Sequence, residues 1–187
     1  MYKVLTFNKD IFLKHCLELQ NSVSQSFSPD LIIGISSGGE YVANQMFPDI
    51  PHINILLQRP GTKYKDKHSF LLRIIRNSPL WLRDFIRVCE AGLTIKSRTI
   101  SSTEKVVFQE DALSGKKNIL VVDDAIDSGK TLYSVVSELK KRARNARILT
   151  AVITTTTSNP LLQADYTLYN NHTLIRFPWS KDFKEDK

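Results

Sequence analysis

The sequence predicts an α/β fold with a central, mostly parallel sheet flanked by helices, and three observations support this. The chain has 187 residues, of which 42% are hydrophobic, which suits one domain with a sizeable core. Two short apolar runs, Leu31–Ile35 and Ile119–Val122, have the pattern of strands buried on both faces. Each run leads through small residues into a helical pattern, which is the rhythm of a parallel sheet. We expect one domain over residues 1–187, with a helical insertion at about 60–95.

The first half of the chain alternates between helices and strands. Asp10 can cap a first helix with a shared apolar face. That face consists of Phe12, Cys16, Leu19 and Val23. A strand at Leu31–Ile35, a helix at Glu40–Phe47 and a second strand at Ile53–Leu57 follow. We expect a right-handed crossover between the two strands.

The second half continues with helices and then with extended segments. Ser69–Ile75 and Pro79–Leu93 are predicted as two short helices that Pro79 separates. The second helix carries an apolar stripe that we interpret as core or as a dimer contact, formed by Trp81, Leu82, Phe85, Ile86 and Cys89. Residues 96–103 are polar. The remaining predicted elements are strands at Arg147–Thr157, Ala164–Tyr169 and His172–Phe177.

The charge of the chain admits two interpretations. The formal net charge of +7 and the pI of about 9.4 suit either nucleic acid or a small polyanionic substrate. Eight cations crowd the middle of the chain and could equally form a solvated helical face: Arg59, Lys63, Lys65, Lys67, Arg73, Arg76, Arg83 and Arg87. Because no signal segment or membrane span is present, we expect a cytoplasmic protein. Cys16 and Cys89 are isolated, which predicts reduced thiols and no structural zinc.

The stretch from Asn118 to Leu132 carries the clearest chemistry. Asp123 and Asp124 are predicted to end the buried strand, and Asp127–Thr131 forms a turn at the start of an amphipathic helix. A helix N-terminus favours a bound phosphate, and the two acids can accept hydrogen bonds from sugar hydroxyls, so the stretch suggests a ribose 5-phosphate site. We expect substrate to contact Asp123, Asp124, Ala125, Ile126, Asp127, Ser128, Gly129, Lys130 and Thr131.

Three other interpretations of this stretch are possible. Gly129-Lys130-Thr131 could end an ATP-binding P-loop, but that motif requires a glycine where Asp124 stands. Taken singly, the acids could be solvated carboxylates at a strand end, and Ser128 could be a helix cap. The whole pattern favours the sugar-phosphate site.

The segment Asp123-Asp-Ala-Ile-Asp-Ser-Gly-Lys-Thr131 resembles the signature of the type I phosphoribosyltransferases. The resemblance extends over about Asp111–Leu139, and Asp127 is similar to the residue of the 6-oxopurine enzymes, which act on hypoxanthine, guanine or xanthine. Ser36, Ser37, Gly38 and Gly39 follow the first strand and look like the family's pyrophosphate loop, which sometimes contains a non-proline cis peptide. Residues 96–103 stand where the family has a mobile loop.

The resemblance implies an enzyme that transfers ribose 5-phosphate from phosphoribosyl pyrophosphate to a purine-type base and releases pyrophosphate. It also implies Mg²⁺, which Asp123 and Asp124 would hold indirectly through ribose or water. Asp127 is then the candidate catalytic residue, acting as a general base. The expected partners are phosphoribosyl pyrophosphate, a nucleobase and a second copy of the chain.

The C-terminal part, about residues 160–187, resembles the hood that covers the base in xanthine-guanine enzymes. Ile175, Phe177 and Trp179 are therefore candidate base-binding residues, although such aromatics are more often core. The sequence differs from the family at two places. Leu174 or Ile175 stands where an aromatic residue stacks on the purine, and Thr154–Thr157 contains no lysine to contact the purine oxygen.

A second functional class stays open on sequence alone. A non-catalytic regulator could keep the same fold to sense phosphoribosyl pyrophosphate while binding RNA or DNA through the basic surface. We do not expect nucleic acid as the main partner. Base-dependent release of pyrophosphate would separate the enzyme from the regulator.

Overall fold

A parallel sheet of five strands forms the centre of the molecule, in agreement with the predicted fold class. The computed structural model describes residues 2–55, 57–58, 79–80, 82–88, 105–106, 110–170 and 172–184. In spatial order the strands are His52–Ile55 (β3), Leu31–Ile35 (β2), Asn118–Ile126 (β6), Arg147–Thr155 (β7) and Tyr166–Tyr169 (β8). Every neighbouring pair runs parallel. The carboxyl ends of these strands therefore lie at one edge of the sheet.

Two small sheets accompany the central one. Lys3–Thr6 (β1) pairs in parallel with Thr173–Arg176 (β9), and Leu57–Gln58 (β4) pairs antiparallel with Lys105–Val106 (β5). The last two extended segments of the chain therefore do not form a pair with each other. One lies at the edge of the central sheet, and the other joins the first strand of the chain.

The described helices are Lys9–Ser24 (α1), Gly38–Met46 (α2), residues 80 and 82–88 (α3) and Lys130–Arg142 (α4), with a 3₁₀ turn at Glu110–Leu113. The prediction that Asp10 caps α1 is wrong. Asn8 caps it, because its side-chain Oδ1 accepts the backbone N–H of Ile11 at 2.8 Å. Asp10 lies within the first turn, where the positive end of the helix dipole favours a carboxylate.

The core is divided between the two faces of the central sheet. Alternate residues of a strand point to opposite faces. On β6, Leu120 and Val122 pack beneath α1 and α2, while Ile119 and Val121 pack beneath α4. The predicted face of α1 is confirmed, since Phe12, Cys16, Leu19 and Val23 are all buried. Burying one such leucine or valine contributes roughly 1.5–3 kcal/mol, so the core fixes both layers of helices on the sheet.

Two predicted boundaries were wrong in ways that matter for the site. The strand β6 does not end before the two acids but continues to Ile126, and α2 begins at Gly38 rather than at Glu40. The predicted helix at Ser69–Ile75 and the polar segment 96–103 lie outside the described residues. Of the apolar stripe, Phe85 is exposed and Leu82 and Ile86 are partly buried, and the dimer contact stays a prediction. No helix in the described ranges is long and apolar enough to cross a membrane.

Candidate functional site

Two loops meet at the carboxyl edge of the central sheet. The strands β2 and β6 are parallel neighbours, with Ile33 opposite Val121 and Gly34 opposite Val122. The residues after β2, 36–39, therefore lie beside Asp123 and Asp124 near the end of β6. These two aspartates are called the acid pair below. Both loops and the acid pair line one cavity of about 400 Å³, together with residues from the C-terminal hood. The sequence-predicted substrate loops thus share a single pocket, although Gly39 itself is not among the lining residues.

Gly38 and Gly39 bring α2 against the acid pair. A Cβ atom on Gly38 would overlap the Asp124 carboxylate, and one on Gly39 would overlap the Val122 carbonyl and lie 2.8 Å from the Asp123 Cα. Only a residue without a side chain permits this approach. The peptide bond between Ser36 and Ser37 is cis, as the resemblance suggested, and the Ser36 N–H donates to the Ile55 carbonyl at 2.9 Å.

The turn at residues 127–131 leads directly into α4. Gly129 has a φ of +72°, and a Cβ atom there would lie 2.8 Å from the Leu162 backbone nitrogen, so this position requires glycine. The Leu161 N–H donates to the Ser128 carbonyl at 2.9 Å and fixes the turn from behind. In the first turn of a helix the backbone N–H groups have no partner in the helix itself. The turn therefore presents amides and the positive end of the dipole of α4 to the cavity.

Asp123 and Asp124 form a closely coupled pair of carboxyl groups. Burial raises the pKa of Asp123 well above its ordinary range, and the neighbouring charge of Asp124 raises it further. Burial also raises the pKa of Asp124, against the opposing effect of side-chain hydrogen bonds from Asp123 and Trp179. The backbone N–H of Asp124 donates to Asp123 Oδ1 at 2.9 Å. Without a ligand, two carboxylates are thus held together in a poorly solvated place.

Asp127 is the first residue of the turn at residues 127–131. The Thr156 hydroxyl donates to Asp127 Oδ1 at 2.9 Å, and the Thr156 N–H donates to the Ile126 carbonyl at 2.8 Å. Asp127 is exposed and lines the cavity. Thr156 therefore orients one carboxylate oxygen of Asp127 and leaves the other oxygen for a ligand.

The hood contributes apolar side chains to the lining of the cavity. Leu174, Ile175, Phe177 and Trp179 all line it. Trp179 is stacked on Phe177 at 4.9 Å between ring centroids and on Tyr41 at 4.7 Å. The interplanar angles are 3° with Phe177 and 24° with Tyr41, so two aromatic rings stack on Trp179. Its indole edge, within hydrogen-bonding range of the Asp124 carboxylate, is the part that reaches the acid pair.

Comparison with known proteins decides the family. A family model described as the phosphoribosyl transferase domain matches residues 7–181. The chain belongs to the phosphoribosyl transferase domain family. The chain is 29% identical to a hypoxanthine-guanine phosphoribosyltransferase of Lactococcus lactis, over 47% of this chain and 53% of that protein. It is 24% identical to the bifunctional protein TilS/HprT of Listeria monocytogenes, over 56% of this chain and 18% of that protein. The chain thus spans about half or less of the length of these curated relatives.

Three solved structures share the fold of this chain. A xanthine-guanine-hypoxanthine phosphoribosyltransferase of Helicobacter pylori has a TM-score of 0.59 at 19% identity, over 95% of this chain and 93% of its own. A purine phosphoribosyltransferase of Pyrococcus horikoshii has a TM-score of 0.60 at 20% identity, over 98% of both chains. A hypothetical protein of Neisseria gonorrhoeae with bound ppGpp has a TM-score of 0.60 at 18% identity, over 96% of this chain and 90% of its own. The predicted resemblance and fold are thereby confirmed.

A buried ionic cluster that the sequence did not reveal lies beside the site of this phosphoribosyl transferase domain. Arg176 is 1% exposed and donates through Nε to Asp182, through Nη2 to Asp84 and through Nη1 to the Thr6 hydroxyl, each at 2.7 Å. Arg87 donates to Asp182 at 2.8 Å, and Arg83 donates to the Asp182 carbonyl at 2.9 Å. The members of the cluster lie far apart in sequence, so no local pattern could reveal it.

The cluster includes two of the eight cations in the middle of the chain that could have formed a solvated helical face. Arg83 is buried and Arg87 is partly buried, so neither belongs to a solvated helical face. Their guanidinium groups bind the hood and join α3 to it. The other six cations of that segment, from Arg59 to Arg76, lie outside the described residues.

We expect Asp123→Asn to stabilise the ligand-free domain at neutral pH, by an amount on the order of 1 kcal/mol. The folded-state pKa of Asp123 is raised, so its contribution to stability is fully present below the unfolded pKa and is lost as the pH rises through the folded pKa. Thermal melting from pH 4 to pH 8 measures this. The gain in melting temperature over wild type should grow with pH, whereas Asp10→Asn, an exposed control, should show no such trend. A gain that is constant or shrinks with rising pH would contradict the prediction.

Proposed function

We propose that this chain transfers ribose 5-phosphate from phosphoribosyl pyrophosphate to a purine-type base and releases pyrophosphate. One observation carries the proposal. Residues 36–38, the acid pair at 123–124 and the turn at residues 127–131, here called the phosphate turn, line a single cavity together with apolar residues of the hood. A substrate with two phosphorylated ends and a sugar between them fits this order of groups.

The roles of the individual groups follow from their chemistry. The amides of residues 127–131 bind the 5-phosphate, and the Ser128 and Thr131 hydroxyls add donors. Residues 36–39 hold the pyrophosphate. Asp123 and Asp124 accept hydrogen bonds from the ribose hydroxyls, which add donors to this poorly solvated pair of carboxyl groups. The hood holds the base through Ile175, Phe177 and the edge of Trp179.

Asp127 is the proposed catalytic residue. As the bond between the sugar and pyrophosphate breaks, the reacting carbon becomes oxocarbenium-like, and the attacking nitrogen of the base must lose a proton. Thr156 orients Oδ1 of Asp127 and leaves Oδ2 to accept that proton. The apolar hood excludes water, which would otherwise compete for the reacting carbon.

The acid pair also fits Mg²⁺. This ion prefers oxygen ligands and is often held through one or two carboxylates together with substrate phosphates. Within the described ranges, no group of three or more His, Cys, Asp or Glu side chains is arranged to hold a metal. In line with the family resemblance, Asp123 and Asp124 would hold it indirectly, through ribose oxygens or water. When bound, the ion would neutralise charge on the leaving pyrophosphate.

The test is incubation with Mg²⁺, phosphoribosyl pyrophosphate and, in separate reactions, hypoxanthine, guanine, xanthine, adenine, uracil and orotate. Formation of pyrophosphate and nucleotide with at least one purine supports the proposal. Binding of phosphoribosyl pyrophosphate without release of pyrophosphate for any base would overturn it. That result would favour the non-catalytic sensor, which salt-dependent binding of RNA or DNA would then test.

A further inference from the structure

The hood end of the cavity contains one charged side chain among the described residues that line it. Asp123, Asp124, Asp127 and Lys130 belong to the acid pair and the phosphate turn, whereas Arg87 enters from α3 beside the apolar residues of the hood. Its side chain is 22% exposed. A base in the hood would therefore meet this guanidinium.

The guanidinium of Arg87 is fixed in place by the hood itself. Nη1 donates to the Ile175 carbonyl, and Nη2 donates to Asp182 Oδ1 at 2.8 Å. Asp182 is in turn held by Arg176 through its other carboxylate oxygen, at 2.7 Å. These two bonds use two of the five N–H groups that a guanidinium carries. Because Arg87 lines the cavity, further N–H groups are available to a ligand there.

We propose that Arg87 is a specificity-determining residue that selects bases with a carbonyl oxygen facing the hood over bases with an amino group there. This inference rests on the proposed function. A guanidinium can only donate hydrogen bonds. It can donate a hydrogen bond to a carbonyl oxygen. It forms none with an exocyclic amino group, because both groups present N–H donors. A mismatched pair leaves buried polar groups without partners, which makes such sites strongly selective.

Hypoxanthine and adenine provide the test, because they share a ring system and differ in carrying an oxygen or an amino group at carbon 6. We expect wild type to prefer hypoxanthine in kcat/KM. Arg87→Met should lower kcat/KM for hypoxanthine about 10- to 100-fold, as expected for loss of a hydrogen bond to a charged group, and should change the value for adenine much less. The ratio of the two values is therefore the readout.

A matched control separates selection from a merely structural role. Asp84 lies on the same helix and binds Arg176 but does not line the cavity, so Asp84→Asn should loosen α3 while leaving the ratio unchanged. Arg87→Gln, which keeps an amide donor for the Ile175 carbonyl, should also lower the ratio and serves if Arg87→Met does not fold. An unchanged ratio in the folded Arg87 variant, or a preference of wild type for adenine, would overturn the inference. Absence of pyrophosphate release with any base would instead overturn the proposed function.

Discussion

Replacing Asp127 by asparagine is expected to lower kcat about 10²- to 10⁴-fold, the range typical for loss of a general base. Asparagine keeps the shape of the side chain, and its Oδ1 can still accept from the Thr156 hydroxyl. It cannot take a proton from the attacking nitrogen. The Kd for phosphoribosyl pyrophosphate should change little, because the backbone amides of residues 127–131 are unaltered. Steady-state kinetics and direct binding measurements give the two quantities separately.

Two controls narrow the interpretation of that result. Asp10→Asn makes the same chemical change at an exposed position and should leave kcat unchanged. Thr156→Val removes the hydroxyl that orients Asp127 and should cause a smaller loss of kcat than Asp127→Asn. If Asp127→Asn turned over substrate as fast as wild type, Asp127 would not be the general base. If its kcat stayed normal and only substrate binding weakened, Asp127 would be a binding residue.

Local patterns predicted the central sheet well. Leu31–Ile35 is a strand with the predicted bounds, because a short, unbroken apolar run between polar turns favours a strand covered on both faces. The amphipathic helix predicted after the turn at residues 127–131 is likewise confirmed as α4, whose apolar residues Leu132, Val135, Val136 and Leu139 are all buried. Both patterns are formed by residues close together in the chain. Such local patterns predict a strand or a helix without any information on tertiary contacts.

The exact placement of the acid pair could not be predicted from composition. Asp123 and Asp124 look like the end of a strand, because carboxylates are rare in a sheet. They remain in β6 because β7 continues alongside it, with Asp123 opposite Val152 and Ile126 opposite Thr155. The ladder of backbone hydrogen bonds to β7 thus overrides local preference. The acids are consequently held on a rigid strand rather than on a loop, which keeps their separation from the phosphate turn fixed.

The hood was only partly predictable, since its contacts join distant parts of the chain. The strand β1 was not foreseen, and its pairing with β9 joins residues about 170 positions apart. Such pairing leaves no periodic trace in either segment. The burial of the arginines was not predictable either, because the sequence does not distinguish an arginine that faces solvent from one that pairs with a buried aspartate. Only the fold shows that Arg83, Arg87 and Arg176 converge on Asp182.

Arg176→Met is expected to lower the free energy of unfolding by roughly 3 kcal/mol, near the lower end of the range for breaking a buried ion pair. Asp84 and Asp182 would lose a partner that binds both of them, and the Thr6 hydroxyl would lose its donor. The loss stays at the lower end because Asp84 is partly exposed and Asp182 keeps Arg87. Urea denaturation of both proteins at pH 7 measures the difference, with Arg144→Met as an exposed control that should change stability by less than about 0.5 kcal/mol.

The pH dependence of the same variant distinguishes loss of the ion pair from loss of packing. Burial alone would raise the pKa of Asp182, but hydrogen bonds from Arg176 and Arg87 outweigh it and hold the pKa below its ordinary value. A lowered folded-state pKa contributes stability above the unfolded pKa of about 3.9, and that contribution is lost as the pH falls through the folded pKa. The difference between wild type and Arg176→Met should therefore shrink below about pH 4. A difference that stays constant into acid would assign the effect to packing of the long side chain, and a variant as stable as wild type at pH 7 would show that the cluster does not stabilise the hood.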